Sequence, residues 1–234
     1  MTKFGKAGVV LCVLLGISRL SFARSPASGA PQTPSAASGS DASPRVTVRV
    51  YNYALARALL IRSEGEATTI LKHAGLQVAW VDCPLTAAEV ANCPECQVQP
   101  EMTDFVLRIV TAEQAEKLAG HGEAMGEALD CLAEEVGCSA YVFYRDVQEL
   151  ARAGDASQYQ LLGHAMAHEL GHLLLGRNAH SRTGIMRAEW NPREISTIAR
   201  TYLLFTDEQA QRIRDEISAR RTILQDQSAR ARKN

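Results

Sequence analysis

Residues 46–53 alternate Val46, Val48 and Val50 with the polar Thr47 and Arg49, the period of a strand with one buried face. Over residues 57–74 the apolar positions change to helical spacing through Leu60, Ile61, Ala67, Ile70, Leu71 and Ala74, and Gly75 marks the helix end. Three short runs rich in β-branched and aromatic residues follow, at 77–81, 105–110 and 140–144, and read as strands. Residues 160–175 are apolar on nearly every side: Leu162, Met166, Leu170, Leu173 and Leu174 on one, Gly163, Ala167 and Gly171 on another. A helix of that composition is buried. Thr206-Asp207-Glu208-Gln209 is a capping box opening a last helix with Ile213, Ile217 and Leu224 inward. A small sheet backed by one helix, with a second buried helix lying across it, is an α+β layout.

The ends of the chain carry different patterns. Lys3 and Lys6 precede an uncharged run over 7–17, and Ser21-Phe22-Ala23 places small residues where a signal peptidase cleaves, so residues 1–23 read as a signal peptide and the chain as exported, secreted or periplasmic. The run is too short for a comfortable membrane span, which leaves no stable span after cleavage. Residues 24–45, rich in Ser, Ala, Pro and Gly, cannot bury enough surface to offset ordering entropy and form a disordered linker. Residues 46–234 suffice for one domain with a real core. The formal net charge of the 234-residue chain is −1, with neither sign dominating, which gives no footprint for nucleic acid. The Arg and Lys residues from Arg212 onward read as a solvated end.

The buried helix contains the polar exceptions His164, His168, Glu169 and His172. Unpartnered polar groups in such a place cost about 1–3 kcal/mol each, and a bound ion satisfies several at once. His168 and His172, at i and i+4, project from one face a turn apart and can share an ion, with Glu169 on the flank, placed to take a proton from a water on that ion. Gly176 stands where a left-handed residue would stop the helix and turn the chain back, bringing His180 onto the return path. Three histidines and one open position are the coordination of a catalytic zinc. His164 stands two turns from His172, roughly 12 Å of helix rise, too far to share the ion, and reads as a packed residue.

The run His168-Glu169-x-x-His172, Gly176, His180-Ser181 and then Gly184-Ile185-Met186 resembles the zinc site and Met-turn of the metzincin metallopeptidases, and its His-Ser pair with a nearby Ile-Met is similar to the matrixin branch. The resemblance implies one Zn2+ held by His168, His172 and His180, Glu169 as the catalytic base, and Met186 as a floor under the metal. It also implies a metzincin-like domain with a small, mostly parallel sheet, and a peptide or protein substrate. One extra residue precedes the Gly and another precedes the last His, relative to HExxHxxGxxH. The leading expectation is an exported, monomeric zinc endopeptidase, with an extended substrate beside an edge strand, a cleft rim drawn from residues 120–137, and a pocket walled by Arg187-Ala188-Glu189-Trp190 that Trp190 makes apolar. Two other readings stay open: a zinc- or partner-binding module that has lost catalysis, and a gluzincin-like hydrolase with Glu189 as the third ligand. Matrixin-like latency depends on a propeptide thiol, and residues 24–45 have no cysteine.

Cys83, Cys93, Cys96, Cys131 and Cys138 follow the signal segment, and in an exported chain most should be paired with one left over. The expected bridges are Cys131 to Cys138 and Cys83 to either Cys93 or Cys96.

Overall fold

The computed structural model describes residues 43–118, 125–129, 131 and 135–233; the signal segment, nearly all of the linker and parts of the 120–137 rim lie outside these. Chain order is β1 (Arg45–Asn52), α1 (Arg57–His73), β2 (Gln77–Cys83), the single turns α2 (Ala87–Val90) and α3 (Pro94–Gln97), and β3 (Asp104–Val110). Then come α4 (Ala112–Ala115), β4 (Gly126–Ala128), β5 (Cys138–Phe143), α5 (Tyr144–Ala153), α6 (Gln158–Leu175), α7 (Pro192–Arg200) and α8 (Asp207–Ala231). The strands form one sheet in the order β2-β1-β3-β5-β4, parallel except for β4. The expected mixed fold with a small, mostly parallel sheet is therefore the observed one.

The alternation in β1 becomes a row of side chains across the sheet. Val50 lies beside Leu107 and Leu107 beside Ala140, all of them buried, so one face is a continuous apolar surface under α1 and α6. The other face carries a polar row of Tyr51, Arg108 and Tyr141, with the Arg108 guanidinium 5.5 Å and 5.8 Å from the two ring centroids, and a small apolar cluster at Val110 and Phe143. Helix α6 lies close against α1 because Gly163 has no side chain; a Cβ there would stand 2.4 Å from Glu66 Cβ and 2.6 Å from the Ser63 carbonyl oxygen.

Helices α5 and α7 are absent from the sequence reading, which carried the strand through Tyr144. Only Val147 of α5 and Ile195 and Ile198 of α7 are buried, so neither helix shows a long apolar stripe. Helix α7 did carry a start signal: Asn191 Oδ1 accepts from the Arg193 N–H, Glu194 Oε2 accepts from the Asn191 N–H, and Pro192 opens the first turn. The reading of the Arg and Lys residues from Arg212 onward as a solvated end is corrected at Arg220, which is wholly buried. Its guanidinium donates to the Met102 and Glu135 carbonyls at 3.1 Å and 3.4 Å and to Glu216 Oε1 at 2.7 Å, clamping α8 onto the chain around β3 and β5. Leu224, expected inward, is only half-buried. Cys131 is bridged to Cys138, the open choice at Cys83 falls to Cys96, and Cys93 keeps its thiol.

Candidate metal centre

Helix α6 begins with Ser157, whose N–H and hydroxyl both donate to Gln160 Oε1, at 3.0 Å and 2.8 Å. The helix carries His168, Glu169 and His172 inside the fold, with His168 and His172 8% and 9% exposed and Glu169 4%. It stops at Gly176, whose N–H donates to the His172 carbonyl at 2.9 Å. Gly176 has φ +92° as the return turn requires, but its ψ of 162° is extended, so the chain leaves the helix without the left-handed cap expected there.

The return strand is pinned at two places. Gln209 of α8 donates from Nε2 to the Ala179 carbonyl at 3.4 Å, and the Ser181 N–H donates to the Met186 carbonyl at 2.7 Å. His180 lies between these anchors, exposed, with Nε2 3.1 Å from His172 Nε2; His172 Nε2 is in turn 3.0 Å from His168 Nε2. The two residues added to the spacing are thus absorbed in the turn, and the structure brings His168, His172 and His180 together into a group that could hold a metal ion.

The hydrogen bonds behind the rings set their tautomers. His168 Nδ1 lies 2.8 Å from the Ile185 carbonyl and His172 Nδ1 3.3 Å from the Gly176 carbonyl, and against a carbonyl Nδ1 can only donate. Burial holds the His168 ring down to about 3 and lowers His172 as well, so both are neutral. Two Nε2 lone pairs then face each other at 3.0 Å, an arrangement that repels without a cation between them. Three imidazoles whose Nε2 atoms meet are a donor set for a borderline-soft divalent ion.

Under the turn, Met186 is wholly buried against the gap left by Gly171: a Cβ on Gly171 would meet Met186 Sδ at 2.6 Å. Gly184, at φ +76°, lets the chain pass the Leu204 carbonyl, 2.5 Å from where its Cβ would stand. The same turn presents the Ile185 carbonyl to His168 and to Trp190 Nε1, the latter at 3.2 Å.

A cavity of about 180 Å³ opens over the histidines, between Met125–Ala128 on one side and Arg177, Arg187 and Ala188 on the other. Glu169 lines it from below. Its Oε2 is buried and has no hydrogen-bond partner among the described residues, and burial, then the nearby Glu127 carboxylate, push its carboxyl up to about 8. Strand β4 crosses over this carboxyl at Gly126, where a Cβ would stand 2.6 Å from the Glu169 side chain and 2.5 Å from the Tyr141 carbonyl oxygen.

Trp190 does not wall this cavity. It stands behind the site, its ring edge-on to His168 with centroids 5.9 Å apart, because its indole N–H is tied to the Ile185 carbonyl. Glu189 is exposed and lies outside both the histidine group and the cavity lining. His164 is a packed residue: Nδ1 donates to the Gln160 carbonyl at 2.7 Å, Nε2 accepts from the Leu203 N–H at 3.2 Å, and the ring stacks on Tyr202 at 6.0 Å. Sequence reasoning reached Gly126 and Glu127 only as part of the 120–137 rim and Arg187 only as part of the 187–190 wall, and it missed Arg177 and the anchoring role of Gln209. Only Gln209 had a local signal, as the capping-box partner of Thr206.

No protein-family model matches the chain, and a search among curated proteins finds no relative. Among solved structures it is similar to an archaemetzincin from Methanopyrus kandleri, at 14% identity and a TM-score of 0.44 over 76% of this chain and 97% of that one. It is also similar to a zinc-dependent peptidase from Methanocorpusculum labreanum (strain Z), at 15% identity and a TM-score of 0.44 over 71% of this chain and 99% of that one. The functional reading rests on the site itself.

Proposed function

We propose that the chain is a zinc-dependent peptidase, an endopeptidase acting on extended peptide or protein substrates. The observation that carries the reading is the meeting of the His168, His172 and His180 Nε2 atoms beside the buried, unpartnered Glu169 Oε2 at the floor of an open cleft. Zinc held by the three imidazoles supplies a Lewis acid that polarises the scissile carbonyl and acidifies a water.

The remaining steps belong to the protein's own groups. Glu169 takes the proton of the attacking water on Oε2 and returns it to the leaving amine. With the ion bound, the Glu169 carboxyl would be drawn back toward the ionised form that a base requires. Met186 and Gly171 hold the ring of His168 by fixing the turn that carries the Ile185 carbonyl. Residues Gly126 and Ala128 alternate with the β5-bonded residues Met125 and Leu129, so their backbone groups face the free side of the edge strand, where an extended peptide can pair.

Export as the chain's route rests on the sequence of residues 1–23, and the two disulfides suit an oxidising compartment. A binding module without catalysis is the competing reading, and a buried carboxyl oxygen with no partner among the described residues is of no use to it. Zinc content measured together with hydrolysis of a mixed peptide library separates the two. The expected result is one zinc per chain and cleavage abolished by a chelator; zinc bound with no peptide cleaved would establish the binding module instead.

A further inference from the structure

The segment Cys93-Pro94-Glu95-Cys96 takes no part in the cleft, and its sulfurs form a cluster of their own. Cys96 is bridged to Cys83 at the end of β2, while Cys93 keeps its thiol. Cys93 Sγ lies 2.9 Å from Cys96 Sγ, so a thiol touches a disulfide. The thiol is half-buried and open to reagents, whereas Cys83 is buried at 5% exposure. Glu95 Oε2 stands 3.9 Å from Cys93 Sγ.

We propose that Cys93, Cys96 and Cys83 form a thiol–disulfide exchange site. The Cys93 thiolate attacks Cys96 Sγ, a Cys93–Cys96 bond forms as the Cys83–Cys96 bond breaks, and Cys83 leaves as the thiolate. One disulfide replaces another and the proton lost by Cys93 ends on Cys83, so the step uses no outside oxidant or reductant. The attacking sulfur is already in contact with the sulfur it must reach, which removes the search that normally limits exchange between distant cysteines.

The two states differ in what they hold together. Cys83–Cys96 spans 13 residues and ties α2 and α3 to the end of β2, whereas a Cys93–Cys96 bridge closes a short ring inside α3 and releases that segment from the sheet. Cys83–Cys96 is the form this structure holds. Exchange also moves the free thiol from an accessible position to a buried one, so the cluster changes the chain's reactivity toward thiol reagents. The site stands apart from the histidine cluster and does not depend on the peptidase reading.

Disulfide mapping of the full-length oxidised protein tests this. The protein is shifted from about pH 4, where thiols are protonated and exchange is halted, to about pH 9, where thiolate forms readily, then acid-quenched at intervals and digested with pepsin. The Cys83–Cys96 linked pair should decline to a plateau while a peptide bridged internally between Cys93 and Cys96 rises, lighter by two hydrogens and no longer joined to the Cys83 peptide. Cys93→Ser should hold Cys83–Cys96 alone at every time, and Cys83→Ser should oxidise to a Cys93–Cys96 bridge with neither of these two cysteines left to alkylate. Wild-type protein that carries only Cys83–Cys96 throughout overturns the proposal, as does a Cys83→Ser variant in which both remaining thiols stay free.

Discussion

Glu169 is buried beneath a strand, with one oxygen unbonded, one residue from a group of histidines. An amide fills the same space but cannot take up a proton, so Glu169→Gln should retain zinc and the fold while peptide hydrolysis falls about 10²–10⁴-fold. Turnover of a peptide at the parent rate by that variant would remove Glu169 from the mechanism. The third ligand can be tested by the same logic. His180→Ala should lose zinc to a mild chelator that leaves wild type loaded, because one of the three donors is gone, while Glu189→Ala should keep one zinc per chain. Metal analysis after dialysis decides it; loss in the Glu189 variant with retention in the His180 variant would favour the gluzincin-like alternative. Those histidines were legible from their spacing on a helix. Glu127 and Gly126 were not, since their proximity to Glu169 comes from a strand some forty residues upstream, and no local pattern records it.

At the scale of elements, two glycines let secondary structures cross, and they should respond differently to the same change. Gly163→Ala forces a Cβ against Glu66 and the Ser63 carbonyl where α6 meets α1, outside the cleft lining, and should destabilise the protein by about 1–3 kcal/mol with zinc content and activity per folded molecule retained. Gly126→Ala forces a Cβ into the Glu169 carboxyl itself and should depress activity in the protein that remains folded. Urea titration and active-site titration of both variants make the comparison; equal activity loss in the two would mean that β4 does not position Glu169. Helices α1, α6 and α8 were readable because each buries a face long enough to show a period. Helices α5 and α7 bury one and two residues, too few for a periodic signal, and only the Asn191-Pro192-x-Glu194 cap of α7 announced itself. Strand β4 is three residues long and held by its pairing with β5, so nothing in its composition marks it.

Across the whole molecule, His164 links α6 to the segment before α8 through the Leu203 N–H, and burial holds its ring down to about 4 from an ordinary 6.5. The unfolded chain therefore takes up this proton first. Stability from this residue is complete above about pH 6.5 and declines as pH falls toward about 4, by roughly 3 kcal/mol over that window. His164→Gln keeps an acceptor for Leu203 without the titration, so its stability should fall less than that of wild type between those limits in urea titrations at matched zinc. Parallel pH dependences in the two proteins would assign the acid sensitivity to other groups.

By itself the sequence determined the features that a few neighbouring residues settle: the alternating strands, the buried helix, the two histidines one turn apart with a glutamate beside them, and the turn at Gly176. These follow from backbone periodicity and steric limits that act within a few residues. The tertiary structure decided what depends on distant segments meeting. It brought His180 to the pair despite the lengthened turn, and set Trp190 behind the site instead of in the cleft. It buried Arg220, laid Gly126 over Glu169, and chose Cys96 over Cys93 as the partner of Cys83. Each of these depends on packing between elements remote in the chain, where contact is set by the shape of the whole core and leaves no periodic trace in the residues that make it.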